Sequence, residues 1–232
     1  MSIATLILGP PGAGKSTSLR NLDPAKTLLI QTIKKALPFK RPGWGYFDRE
    51  TNKAGNILVT DSIPAMLKMA GKTSRKVIVI DDWNVALTNE FMRRSDEKTF
   101  DKFNDIGKAA WTLFNGMSQL PDDVTVYLMG HTQSDEFGGE KAKTIGKMVD
   151  EKFPAESYFA TVLRAARVDS GHHVFRTQNS GSDTTKAPMD MFPDGQVDND
   201  LAEVDRLVRA YYDLPAIPPA SQPNNTNGAT TA

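Results

Sequence analysis

The sequence predicts an α/β protein in which helices cover both faces of a mostly parallel β-sheet. Short runs such as Ile3–Leu8 and Thr27–Gln31 are apolar and β-branched, as expected for strands that are buried on both faces. Segments of helical character separate these runs, and such alternation is typical of parallel strands joined by helical crossovers. Two strand-like segments farther along the chain flank Asp169-Ser170-Gly171, which predicts a distal β-hairpin.

The predicted elements follow one another in a regular order. Strands of the parallel sheet are predicted at residues 3–8, 27–31, 57–60, 77–80 and 124–129. Helices are predicted at about residues 15–21, 62–69, 83–94, 100–120 and 200–212, and Gly71 is expected to stop the second of them. The hairpin strands are expected at residues 158–168 and 172–178. Residues 32–56 and 132–152 are expected to be irregular, because glycines and prolines or polar residues interrupt them.

The chain divides into three parts by composition. Residues 1–193 contain the predicted sheet and its hairpin. Residues 194–213 form an acidic segment followed by a helix, and residues 214–232 form a tail rich in Pro, Asn and Thr without a charged side chain. Such a tail cannot bury an apolar core, so it is predicted to be disordered.

The composition excludes several classes of site. The chain of 232 residues has no cysteine, which rules out disulfides, thiolate metal sites and a cysteine nucleophile. No apolar run approaches the roughly 20 residues of a membrane helix, and the N-terminus lacks the features of a signal peptide. A cytoplasmic protein with no membrane contact is therefore expected.

A phosphate-binding loop is predicted directly after the first strand. The residues that match the G-x-x-x-x-G-K-[ST] pattern are Gly9, Pro10, Pro11, Gly12, Ala13, Gly14, Lys15 and Ser16. Glycines let the backbone N–H groups point towards a phosphate, Lys15 is expected to reach the β- and γ-phosphates of ATP, and Thr17 is expected near the α-phosphate. Lys15 is expected in a solvated loop. The competing interpretation is a glycine-rich turn without a ligand.

If the loop binds a nucleotide, a Mg²⁺ site is expected beside it, with a carboxylate at the end of the fourth predicted strand. Asp81 follows a fully apolar run and is expected, with the Ser16 hydroxyl, to hold Mg²⁺. Asp82 has two interpretations. It either orients the attacking water or caps the helix that starts at Trp83.

Three segments together resemble the RecA-like P-loop ATPases, and among them small phage proteins reduced to a RecA core and linked to single-strand annealing and recombination. The segments are residues 9–17, the strand that ends in Asp81-Asp82, and residues 126–192 with the run Val126-Tyr127-Leu128-Met129-Gly130-His131 and the hairpin. The resemblance spans residues 3–193 and implies a RecA-like ATP-binding core. It also implies Mg·ATP as the cofactor, single-stranded DNA as a partner, and a homo-oligomer with ATP between subunits. A recombination protein or single-strand-binding protein of the phage would be a further partner.

The resemblance also implies roles for individual residues. His131 takes the place of a polar sensor of the γ-phosphate, with Gln133 as a second candidate, and residues 132–152 take the place of the DNA-binding loop. Lys186 and Arg176 are candidates for a basic group supplied to a neighbouring subunit. The chain departs from the family after the second strand, where residues 29–33 contain no catalytic glutamate. Either Asp82 substitutes for it, or Asp48 or Glu50 folds back, or hydrolysis is slow, so nucleotide binding is expected rather than fast turnover.

A basic and aromatic insertion adds a candidate DNA contact. Its cations are Lys34, Lys35, Lys40 and Arg41, and its rings are Phe39, Trp44, Tyr46 and Phe47. Cations for phosphates and rings for stacking suit single-stranded DNA, although the rings could instead cover adenine or pack on the sheet.

The formal net charge of zero conceals an uneven distribution of charge. Residues 1–43 carry seven basic residues and one acidic residue, whereas residues 190–205 carry six acidic residues and no basic one. The acidic segment is therefore expected to compete with DNA or to dock a neighbouring subunit.

The leading hypothesis is a Mg·ATP-binding RecA-core protein that acts on single-stranded DNA. Two alternatives stay open. One is a P-loop kinase for a small metabolite or nucleoside, and the other is a nonhydrolysing, nucleotide-gated adaptor of a replication or recombination complex.

Overall fold

The computed structural model describes residues 1–136, 138–168 and 171–218, with the side chains of Lys147 and Met148 left aside. An eight-stranded mixed sheet runs through the molecule in the order β10-β9-β8-β1-β5-β4-β2-β3. The strands are β1 (Ile3–Leu8), β2 (Thr27–Gln31), β3 (Ile57–Val59), β4 (Val77–Asp81), β5 (Thr125–Gly130), β8 (Thr161–Arg167), β9 (His173–Arg176) and β10 (Gln196–Asp198). The six strands from β8 to β3 are parallel, and β9 and β10 are antiparallel additions. The predicted α/β class, the parallel sheet and the distal hairpin are confirmed.

Helices cover both faces of this sheet. The helices are α1 (Ile63–Lys72), α2 (Trp83–Arg93), α3 (Asp101–Ser118), α4 (Gly146–Lys152) and α5 (Leu201–Tyr211), with short 3₁₀ helices at Ser16–Asn21 and Ala155–Tyr158. Ile78 and Ile80 of β4 face α1, α2 and α3, whereas Val77 and Val79 face α5 and the first 3₁₀ helix. Side chains alternate along a strand, so a fully apolar strand fills a core on each face. Among the described residues, no helix is long and apolar enough to cross a bilayer.

Several local expectations are wrong. Gly71 does not stop α1, which continues to Lys72, because an exposed glycine can be accommodated in a last helical turn. Residues 132–152 are not irregular: β6 (Thr132–Ser134) pairs antiparallel with β7 (Glu140–Ala142), and α4 follows. The hairpin strands are shorter than predicted, because residues 155–158 form a 3₁₀ turn. Asp169 and Ser170 of the predicted turn lie outside the described residues.

The acidic segment shares the sheet and the core of the preceding residues. β10 pairs with β9, and Leu201, Val204 and Val208 of α5 pack against the sheet. Asp205 is buried, and Asp200 accepts the Ala202 N–H at the start of α5, so neither side chain is available as expected for docking. The predicted disordered tail lies outside the described residues from position 219 onwards.

Candidate functional site

The glycine-rich loop lies between β1 and the first 3₁₀ helix, at the carboxyl end of the parallel strands. Its glycines are needed for two different reasons, a close approach between backbones and a positive φ angle. A Cβ on Gly9 would lie 2.7 Å from the Ala165 carbonyl of β8, so only glycine permits this approach of the two strands. Gly12 and Gly14 have positive φ angles of 77° and 95°, a region that glycine occupies without strain.

Lys15 is buried, not solvated as expected. Its side chain is folded back, and Nζ donates to the Gly9 carbonyl at 2.6 Å and to the Pro10 carbonyl at 3.1 Å. Burial lowers the pKa of Lys15 in spite of the opposing negative charges of Asp82 and Asp81. An anion beside this ammonium would offset the cost of burying its charge.

Ser16 and Asp81, the two expected Mg²⁺ ligands, are in contact. The Ser16 hydroxyl lies 3.1 Å from Oδ1 and 3.3 Å from Oδ2 of Asp81, whose side chain is fully buried at the end of β4. Burial and the charge of Asp82 raise the pKa of Asp81, although Lys35 and Ser16 act in the opposite direction. A hydroxyl and a carboxylate are hard oxygen ligands, so this pair fits Mg²⁺. Thr17 follows in the 3₁₀ helix, which has six residues and so offers little macrodipole.

Asp82 stands at the N-cap position of α2 with a left-handed backbone (φ 63°), yet its carboxylate makes no capping hydrogen bond. It instead contacts Lys35 Nζ at 2.5 Å and His131 Nε2 at 3.3 Å. The carboxylate of Asp82 therefore belongs to the site beside the loop and not to the end of α2.

His131 lies between the loop and Asp82. Its Nδ1 is 3.4 Å from Lys15 Nζ, and the Asn84 side chain brackets its backbone through the His131 N–H and carbonyl. Burial and the charge of Lys15 lower the pKa of His131, against the charge of Asp82. A neutral imidazole protonated on Nε2 satisfies both contacts, because Nδ1 then accepts from Lys15 and Nε2 donates to Asp82. The imidazole thus links the loop to the end of β4.

Lys35 joins this site although the sequence analysis assigned it to a DNA-binding patch. Its ammonium lies 3.2 Å from Asp81 and 2.5 Å from Asp82. The contacts run from Ser16 to Asp81, Lys35, Asp82, His131 and Lys15. Because Lys15 and Ser16 are adjacent in the chain, these six side chains form a closed ring. Burial by itself would lower the pKa of Lys35. The charge of Asp81 and the hydrogen bond to Asp82 act more strongly in the opposite direction, so the pKa of Lys35 is raised. One feature of the sequence is consistent with this position. Lys35 stands four residues after β2, and β2 pairs in parallel with β4, so Lys35 lies near the carboxyl end of the strand that carries Asp81.

The remaining predicted site residues lie elsewhere. Gln133 donates to Asp150 of α4 at 2.6 Å and does not contact the ring. Lys186 is exposed beside β8, with its backbone paired to Val162. Arg176 lies across from Arg164 on the hairpin. Whether Lys186 or Arg176 reaches a neighbouring subunit stays a prediction.

The basic and aromatic insertion is mostly engaged within the molecule. Phe39, Trp44 and Tyr46 pack in part against the core on the α5 face. The insertion's cations have separate environments: Lys35 joins the ring, Arg41 donates to Asn21, Lys34 lies over the Tyr46 ring, and Lys40 is exposed. The alternative of packing on the sheet therefore describes these rings best.

Two polar side chains that sequence reasoning missed lie close to the loop at Gly14. A Cβ on Gly14 would lie 3.0 Å from the Asn199 amide and 3.1 Å from His173 Nδ1. The amide nitrogen of Asn199 and His173 Nδ1 are buried without a hydrogen-bond partner among the described contacts. These side chains therefore leave no room for a side chain at position 14 of the loop. No local pattern in the sequence pointed to their position.

The chain was compared with known proteins. No family model matches it, and no curated protein matches it either. The fold and the ring of side chains are therefore the basis for any assignment of function.

Proposed function

We propose that this protein binds Mg·ATP through a RecA-like core and acts on single-stranded DNA in annealing or recombination, with slow ATP hydrolysis. The observation that carries the proposal is the contact of Ser16 with Asp81 beside a loop that holds Lys15. The loop follows β1, Asp81 ends β4, and β5 lies between these two strands and leads to His131. Ligands of open α/β sheets bind at the carboxyl ends of such strands.

The charges of the ring favour this ligand. Burial makes the ammonium of Lys15 costly and the carboxylate of Asp81 costly, as the directions of their pKa shifts indicate. A phosphate would supply an opposite charge beside Lys15, and a divalent cation would place a stronger opposite charge beside Asp81 than the Lys35 ammonium does. When bound, Mg²⁺ would neutralise the phosphate oxygens, and Ser16 and Asp81 would hold it.

Slow hydrolysis follows from the groups that could orient water. β2 ends in Gln31, whose amide donates to the Lys35 carbonyl, and no carboxylate follows it there. Asp48 accepts the N–H groups of Glu50 and Thr51 in its own turn and so is used locally. Asp82 is the carboxylate beside His131, but the Lys35 ammonium pairs with it at 2.5 Å and so occupies the oxygen that would have to orient water.

A groove between α3 and α4 offers the chemistry that single-stranded DNA needs. It has a volume of about 340 Å³, and Trp111 (48% exposed) and Tyr158 (41% exposed) lie on it. Lys108 and Lys152 are exposed in the same groove, and no acidic side chain lies among its described lining residues. The Tyr158 ring stacks on Phe153 at 5.1 Å and keeps 41% of its surface exposed. Open rings beside cations suit stacked bases and their phosphates.

The test is nucleotide binding with a fluorescent ATP analogue and Mg²⁺. Lys15→Met keeps most of the buried stem but removes the charge, so it should abolish measurable binding. Lys26→Met changes an exposed lysine outside the ring and serves as the matched control. Circular dichroism verifies that both variants are folded. Binding of equal strength in Lys15→Met would remove the loop from the assignment.

A nonhydrolysing adaptor is the second candidate, because the Lys35–Asp82 ion pair occupies the carboxylate that would activate water. Phosphate release separates the two functions. Slow release that stops in Asp82→Asn supports an ATPase, whereas binding without release over hours supports an adaptor.

A further inference from the structure

We propose that Lys35 is a built-in cation that competes with the metal ion for Asp81 and Asp82 and so sets the Mg²⁺ concentration at which nucleotide binds. The inference rests on the proposed function, because it concerns the metal of the same site. It assigns a role to a residue that the loop motif does not include.

The first argument is the position of the ammonium. Lys35 Nζ bridges the two carboxylates, at 3.2 Å from Asp81 and 2.5 Å from Asp82. Asp81 is also the carboxylate that the Ser16 hydroxyl contacts. A lysine on the expected metal ligand places a positive charge where a second positive charge would have to bind.

The second argument is the strength of repulsion in this environment. The Asp81 side chain is fully buried and that of Asp82 is 13% exposed. Charges interact much more strongly in such surroundings than in bulk water. If Mg²⁺ and the ammonium both contacted Asp81, the two cations would repel each other strongly. Metal binding must therefore displace Lys35 or be weakened by it.

The third argument is that Lys35 has a path outward. Its side chain is 41% exposed, so it can rotate into solvent. Its backbone is fixed, because the Lys35 carbonyl accepts from the Tyr46 hydroxyl at 2.8 Å and from the Gln31 amide at 3.2 Å. Displacement therefore needs a change of rotamer and not a rearrangement of the chain.

A neighbouring lysine supplies the control. Lys34 is exposed, and its ammonium lies over the Tyr46 ring at 5.0 Å and not on the carboxylates. Lys34→Gln removes the same charge one residue away. It should leave the metal site unchanged apart from weak, salt-screened effects.

The experiment is a MgCl₂ titration at a fixed concentration of fluorescent ATP analogue, with wild type, Lys35→Gln and Lys34→Gln. Lys35→Gln should lower the half-saturating Mg²⁺ concentration by about tenfold, a change of about 1.4 kcal/mol in metal affinity. Lys34→Gln should match the wild type. Thermal melting checks that each variant is folded.

Three results would overturn the inference. The first is an unchanged or higher Mg²⁺ requirement in Lys35→Gln. The second is a weaker nucleotide affinity of that variant at saturating Mg²⁺, which would assign Lys35 to the phosphates instead. Nucleotide binding by the wild type would leave the proposed function standing in both cases. The third, a wild type that binds no nucleotide at any Mg²⁺ concentration, would remove the function and the inference together.

Discussion

Arg209 is expected to be the charged side chain on which the stability of the fold depends most. It is 2% exposed on α5, and its Nε donates to Asp205 at 2.7 Å. Its other nitrogens donate to the Thr125 hydroxyl and to three carbonyls, those of Lys76, Asp123 and Pro215. The guanidinium therefore joins α5 to the ends of β4 and β5 and to the chain after α5.

Arg209→Met would leave Asp205 as a buried carboxylate whose remaining donors are Thr125 and Tyr127. Breaking a buried ion pair in this way costs about 3–5 kcal/mol. For a domain of this size that is a fall in Tm of about 6–20 °C. Asp205→Asn in the same chain removes the unpaired charge and should recover more than half of the loss.

Urea denaturation followed by circular dichroism measures the free energy of unfolding. Arg206→Met is the matched control, because Arg206 lies on the same helix and pairs with Glu203 in solvent. An exposed pair of this kind contributes about 0.5 kcal/mol or less. If Arg209→Met and Arg206→Met lose the same stability, the reasoning about the buried network is wrong.

Two further predictions follow from the close contacts and the groove. Gly130→Ala would place a Cβ 2.5 Å from the Trp83 indole nitrogen, so thermal or urea denaturation should show a loss of about 1–3 kcal/mol. Unchanged stability would mean that β5 and Trp83 are not packed as described. Trp111→Ala should weaken binding of single-stranded DNA by about 5- to 150-fold in fluorescence anisotropy, since stacking of a base contributes about 1–3 kcal/mol. Trp44→Ala, a change in a half-buried ring outside the groove, should have little effect, and an equal loss would remove the groove from the proposal.

The central strands could be predicted from the sequence because their signal is local. β1 and β2 have the predicted bounds, β4 is one residue longer at its carboxyl end, and β5 is shifted by one residue at each end. A strand buried on both faces is apolar at nearly every position, so a short continuous run of apolar residues identifies it in the sequence. The same signal placed Asp81 at the end of a strand near the loop, since parallel strands bring their carboxyl ends together, whereas its ligation of Mg²⁺ with Ser16 stays a prediction.

The contacts that close the site depend on residues far apart in the chain. Lys35 reaches Asp82 across 47 positions and Asn199 lies close to Gly14, and no periodicity encodes either contact. Residues 132–152 were misjudged because three-residue strands and a seven-residue helix give too few repeats for a pattern to stand out. The sequence gives no local signal that Arg209 is buried, because charged residues rarely are and most of its partners lie outside α5.

The most direct test of the account is a crystal structure of the protein with a nonhydrolysable ATP analogue and Mg²⁺. The account predicts the triphosphate within residues 9–17, Lys15 on its phosphates, and the metal ion beside Ser16 and Asp81 with Lys35 turned outward. A nucleotide bound elsewhere, or a metal ion without contact to Ser16 and Asp81 directly or through water, would contradict it.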